Sequence, residues 1–182
     1  MIILFGPSAS GKTEIAKRLM SKYGLKKVVT CTTREPRIGE VNDIDYHFLT
    51  KDKFDELLKK NEFVETAFYN NNYYGSLKKE VDDDKIVVIE PNGVKEYLKL
   101  NNPSIVTFFT SCPEDIRKQR MEGRLDKAEL IIQRLNNDKI DFREDVIPSP
   151  DFIIDTSKKT VEELVDEVFT LYTHKLNKTK EE

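Results

Sequence analysis

Gly6-Pro7-Ser8-Ala9-Ser10-Gly11-Lys12-Thr13 fits the pattern GxxxxGK[ST], and it stands between an apolar run at residues 1–5 and a segment of helical periodicity. Glycines at both ends let the backbone curl so that successive N–H groups point at one anion, which also meets the positive end of the following helix. Lys12 adds a mobile charge for β- and γ-phosphates, and the Thr13 hydroxyl can reach Mg²⁺. The whole octet from Gly6 through Pro7, Ser8, Ala9, Ser10 and Gly11 to Lys12 and Thr13 therefore reads as the cradle of a nucleoside triphosphate. The bland alternative is a glycine-bearing turn with an exposed lysine, which does not need this full spacing. Such a loop does not name its acceptor, because GTPases, motor ATPases and small-molecule kinases all use one. No Asn-Lys-x-Asp stands at a strand end to read a guanine in the GTPase manner; NKTK at 177–180 falls in a tail expected to fray.

A second set of anion binders follows. Arg34 and Arg37 flank Pro36 in an aperiodic loop with Gly39, and Tyr46, Glu65, Tyr74 and Ser76 come after. A guanidinium fork matches phosphate bidentately and a phenol can donate to the same oxygens, so Arg34, Arg37, Tyr46 and Tyr74 can hold a monophosphate. Isolated arginines more often form solvated loop salt bridges; it is the surrounding pattern that favours the phosphate.

With GPSASGKT, the stretches TTREPRIGEVNDIDYHF and FVETAFYNNNYYGS resemble guanylate kinase, and RMEGR with Arg134 resembles that family's arginine-bearing lid. The resemblance covers most of the chain. It implies that Arg34, Arg37, Tyr46 and Tyr74 bind the phosphate of GMP, that Thr30, Glu65 and Ser76 face its base, and that Lys12, Arg34, Arg120, Arg124 and Arg134 stabilise the transferring phosphoryl group. Chemistry agrees at Glu65: guanine N1–H and N2–H₂ are adjacent donors, and a carboxylate is acceptor-only with two oxygens. The alternatives are an edge-strand carboxylate paired with a lysine at Glu65, and solvent-facing helix charges at Arg120, Arg124 and Arg134. The chain also departs from the family pattern. Where Asp-x-Asp is common it has Val88-Ile89-Glu90, which removes one carboxylate and leaves Glu90 for the acceptor contact. The lid is slightly shorter between Arg124 and Arg134, and Asp155-Thr156 stands where an asparagine beside adenine is usual.

Positioning these groups requires a frame, and 182 residues suffice for one core with small insertions. The apolar runs 1–5, 85–89 and 105–110 read as buried parallel strands, with a shorter strand at 27–31 and a last one at 152–154. Helices are expected at 13–23, ending on Gly24, at 51–60 with Phe54, Leu57 and Leu58 inward, from Pro91 to 100, and at 113–122, 127–143 and 161–176. Residues 62–69 and 73–76 form a hairpin about the turn Asn70-Asn71-Asn72. The alternation predicts an α/β fold, a three-layer P-loop kinase with a parallel central sheet. Its core is 1–31, 81–119 and 144–176, its inserted NMP-binding substructure 32–80 and its mobile lid 120–143.

Composition narrows the partners. With 35% charged residues and a net charge of -3, neither nucleic acid nor an anionic membrane is a general partner, and any anion site must be local. Residues 1–5 are too short for a signal peptide and no run nears the ~20 residues of a membrane span, so a cytoplasmic protein is expected. Cys31, Cys112, His47 and His174 are scattered without metal-ligand spacing. The expected ligands are ATP, GMP and Mg²⁺; nothing in the sequence specifies an oligomer. Two other functions compete: a related binding module that has lost catalysis, which the intact Gly11-Lys12-Thr13 opposes, and a kinase for another phosphorylated acceptor such as dGMP or a sugar phosphate.

Overall fold

The computed structural model describes residues 1–69 and 71–181. β1 (Ile2–Phe5) is wholly buried, as a continuous apolar strand must be when both faces of its sheet are covered. It pairs in parallel with β7 (Lys85–Val88) on one side and β8 (Val106–Ser111) on the other. β2 (Lys26–Lys27) and β9 (Phe152–Asp155) complete a five-stranded sheet in the order β2-β7-β1-β8-β9.

The period of two along β1 divides the core. Ile2 and Leu4 face α1 (Lys12–Tyr23) and α6 (Val161–Glu181), meeting Ile15, Leu19, Leu164, Val165 and Val168. Met1, Ile3 and Phe5 face the other way, against Val94 and Tyr97 of α3 (Pro91–Leu98). Three layers result, as the alternation of strands and helices predicts. α1 ends where expected, on Gly24 at φ 73, and α3 starts on Pro91, whose missing N–H is no loss there.

A second sheet of four short strands, β4-β3-β6-β5, is built from β3 (Cys31–Thr32), β4 (His47–Phe48), β5 (Phe63–Tyr69) and β6 (Asn72–Leu77). Phe54 of α2 (Lys51–Lys59) stacks on Phe63 and Tyr73, and with Cys31 and Leu77 forms a separate small core. In β6, Gly75 lies where a Cβ would meet the Phe63 ring at 2.8 Å.

Three expectations need correction. The strand expected at 27–31 is two pairs of residues in different sheets. Lys26 and Lys27 pair with Lys85 and Ile86, whereas Cys31 and Thr32 pair with Gly75 and Tyr74; a propensity window cannot see that a short run changes partners. Leu58 is 49% exposed rather than inward, since Phe54 fills the small core. The tail expected to fray continues α6 to Glu181, because no Gly or Pro interrupts it and Lys and Glu are good helix formers. At the hairpin turn Asn71 has φ 61; Asn70 lies outside the described residues.

Candidate active site

The loop 6–13 leaves the carboxyl end of β1, the central strand, at the point where the sheet order reverses, which is where ligands bind in open parallel sheets. Gly6 makes this possible: at φ 148, its absent side chain would lie 2.4 Å from Thr110 Oγ1 on β8. Ser10 is buried against the same threonine, hydroxyl to hydroxyl at 2.6 Å. Lys12 folds back and donates to the carbonyls of Gly6 (2.5 Å) and Pro7 (2.8 Å). Burial pushes its ammonium below the usual lysine range, against the opposing pull of Glu90 and Asp138. Thr13 is exposed near the start of α1.

Arg120, on α4 (Glu114–Gly123), reaches this loop. It donates to the Ala9 carbonyl at 3.2 Å and to the Thr156 carbonyl at 2.6 Å. The Thr156 hydroxyl in turn donates to the Ser10 carbonyl at 2.8 Å. Arg124 and Arg134 are not brought there. Arg124 is exposed just past α4, and Arg134, on α5 (Ala128–Asp141), is held by Asp126 at 2.8 Å.

Two residues that sequence reasoning missed also touch the loop. Arg117 of α4 and Asp138 of α5 are buried and paired at 2.5 Å. Asp138 accepts from the Ser8 N–H with both oxygens at 3.1 Å and from the Ser8 hydroxyl at 3.0 Å. Charged residues on polar helices read as solvent-facing, so no local signal marked either one.

On the second sheet, Arg34 lies over the rings of Tyr46 (5.5 Å) and Phe48 (5.8 Å), and Tyr46 meets Tyr74 edge-on at 6.3 Å. Three of the four predicted phosphate ligands thus share one corner. Arg34 donates to Glu40 at 2.8 Å, and Glu40 also accepts from the Arg37 N–H at 2.7 Å. That arginine holds the Glu40 carboxyl below its ordinary range, so an incoming anion competes with Glu40 for the fork. Arg37 itself is exposed.

Glu65 and Ser76 face each other across β5 and β6, with a bulge between Phe63 and Glu65 setting the register. The Ser76 hydroxyl donates to Glu65 Oε1 at 2.7 Å. Burial pushes the Glu65 carboxyl above the usual range, and its bonds from Ser76 pull it only partly back. Glu65 opens onto a cleft of ≈ 670 Å³ whose far wall carries Glu90 and Asn92. Thr30 lies between β2 and β3, its carbonyl bonded to the His47 N–H at 2.9 Å.

A family model for guanylate kinase matches residues 1–173. The chain belongs to the guanylate kinase family. A guanylate kinase of Rickettsia felis is 38% identical over 146 residues, spanning 75% of this chain and 76% of the relative. One from Mycoplasmopsis synoviae is 34% identical over 160 residues, spanning 79% and 81%. In fold, the chain resembles a crystal structure of guanylate kinase from Anaplasma phagocytophilum, with a TM-score of 0.68 at 22% identity, covering 96% of this chain and 84% of that one. As a member of the guanylate kinase family the chain carries Val88, 36% exposed at the end of β7, and Thr156 as a buried tether of the loop rather than a surface residue.

Proposed function

We propose that the protein transfers the γ-phosphoryl group of ATP to GMP, giving ADP and GDP, as a cytoplasmic enzyme of purine nucleotide metabolism. The observation that carries this reading is the pairing of two anion corners. One is the loop 6–13 around Lys12; the other is Arg34 with Tyr46 and Tyr74, beside the carboxylate and hydroxyl of Glu65 and Ser76. In this reading Gly6 to Thr13 hold the donor phosphates. Arg34, Arg37, Tyr46 and Tyr74 hold the acceptor phosphate, and Thr30, Glu65, Ser76 and Glu90 line the acceptor's base side. Residues 32–80 act as the acceptor-binding insertion and 120–143 as the lid on a core of 1–31, 81–119 and 144–176.

The acceptor oxygen belongs to a phosphate whose second pKa is ~6, so near pH 7 it is largely ionised and needs no strong base. Positioning and charge neutralisation do the work. Lys12 leaves its carbonyl partners for the terminal phosphate, and Arg34 and Arg120 add charge from either side. Arg124 and Arg134 contribute only when the lid closes, since Arg134 must first release Asp126. Closure also excludes water from the transfer.

Oxygen ligands suit Mg²⁺, and the hydroxyl of Thr13, exposed in the first turn of α1, is one. Among the described residues no group of three His, Cys, Asp or Glu could hold a metal, so the remaining ligands fit phosphate oxygens and water. When bound, Mg²⁺ neutralises charge on the β- and γ-phosphates. No helix among the described residues is long and apolar enough to cross a membrane.

The test is ADP release from ATP-Mg²⁺ against a panel of GMP, dGMP, AMP, CMP and UMP. GMP gives the highest kcat/KM. Equal turnover with every acceptor, or none with any, overturns the reading.

The Glu65 carboxyl adds a pH signature. Guanine donors need the ionised form, and burial raises the pKa, so kcat/KM for GMP falls on acidification from a midpoint above the ordinary glutamate value of 4.5. KM for ATP does not share that limb. Superimposable pH profiles for the two substrates remove Glu65 from the base site.

A further inference from the structure

Every carbonyl from Gly6 to Ser10 accepts from a side chain, and Pro7 accepts from the Ser10 N–H as well, at 3.2 Å. Gly6 and Pro7 meet Lys12, Ser8 meets Arg117 Nη1 at 3.3 Å, Ala9 meets Arg120, and Ser10 meets Thr156. With these carbonyls engaged the loop is held at the start of α1, whose first N–H groups have no partner within their own helix, which is the arrangement an anion needs. Ala9 nevertheless sits at φ 58 without being glycine. A side-chain-bearing residue holds that conformation only where its neighbours over-determine it.

We propose that the buried pair Arg117 and Asp138 are positioning residues that fix the phosphate loop in its anion-binding curl before the donor arrives. The inference rests on reading 6–13 as the donor phosphate loop. Between them the two side chains take the whole polar complement of Ser8: Asp138 its N–H and hydroxyl, Arg117 its carbonyl. Arg117 is braced in turn by donating through Nε to the Cys112 carbonyl at 3.2 Å. A pair that served only to join α4 to α5 would not need both partners on one loop residue. That joint has its own apolar packing, Met121 against Ile131 and Leu135, with Ala9 alongside. Two buried charges are costly unless fully hydrogen-bonded, and here Ser8 of the loop supplies most of the bonds that complete them, with Cys112 supplying the rest.

Removing one partner leaves an unpaired buried charge, so the decisive variant removes both, Arg117→Leu with Asp138→Ala. Its measurements are the Kd for ATP without GMP, the Kd for GMP without ATP, and amide exchange of Ser8 to Gly11 in the nucleotide-free protein. A loop that must be ordered on binding loses affinity, by about 10-fold for ATP. GMP affinity stays at the wild-type value and exchange of the loop amides accelerates. A purely structural pair would move both affinities together or neither. Unchanged or tighter ATP binding in the folded variant overturns the proposal.

If the double variant does not fold, the wild-type protein still decides. Its Ser8 amide, outside any helix or strand, must be protected in the absence of nucleotide; exchange as fast as an exposed loop overturns the proposal equally. A wild-type protein that binds no ATP is a different failure, since it removes the donor-site reading on which the proposal stands.

Discussion

Lys12→Ala lowers kcat for ADP formation from ATP and GMP by about 10²- to 10³-fold, the usual cost of deleting one preorganised charge aimed at a developing transition state. The fold survives. In the free protein Lys12 is spent on two loop carbonyls, Gly6 and Pro7, and burial already disfavours its charge, so its removal takes away no net electrostatic support. Water can replace it at those carbonyls. The KM for GMP is little changed, because the proposed acceptor corner is built around Arg34 and Tyr46 rather than on the loop that carries Lys12. The measurement is steady-state kinetics alongside thermal unfolding. A folded variant with near-native turnover shows that the charge facing the γ-phosphate comes from elsewhere.

Glu65→Gln has the second large effect. It keeps the side chain's size but turns one acceptor oxygen into an NH₂ donor facing a donor. Hydrogen bonds to charged groups contribute roughly 1.5 to 3 kcal/mol, so kcat/KM for GMP falls by about 10- to 100-fold at 1.4 kcal/mol per decade. Stability does not fall with it. A carboxyl whose folded pKa is raised contributes stability below its unfolded pKa and loses that contribution as pH rises through the folded value. Above its raised pKa the Glu65 carboxylate therefore offers no electrostatic support that a neutral amide would forfeit. IMP discriminates, since it keeps N1–H and lacks N2–H₂. GMP loses most, IMP less and AMP least; equal losses on all three make Glu65 a structural carboxylate.

The first 24 residues were legible because each local signal agrees with the tertiary role: a two-sided apolar strand, the loop pattern, a helix stripe and a glycine in the left-handed region. The proposed acceptor corner is legible only through its motif. Nothing local to Arg34 says that it lies over Tyr46, which comes from beyond a long irregular loop. Glu40 was passed over although it holds Arg34, because a glutamate in such a loop is indistinguishable from a solvated one. Arg117 and Asp138 stayed hidden for a related reason. They lie on different helices, and only packing turns two apparently surface charges into a buried pair. The two-residue strands at 26 and 31 cannot be one because their partners, Lys85-Ile86 and Gly75-Tyr74, come from distant sequence and lie in different sheets.

That same long-range pairing sets the order in which the chain can acquire its chemistry during synthesis. Ile2 has its neighbours at Ile86 and Val106, so β1 emerges from the ribosome ahead of both and waits for them. At about 5–20 residues per second, roughly 100 residues take some 5 to 20 seconds to follow. Through that interval the strand is an unpaired apolar edge, the kind of segment that chaperones capture and that aggregates when they do not. Gly6 has no Thr110 to approach until β8 arrives, so a nascent chain that ends before β8 carries the GxxxxGKT letters without the geometry that makes them bind.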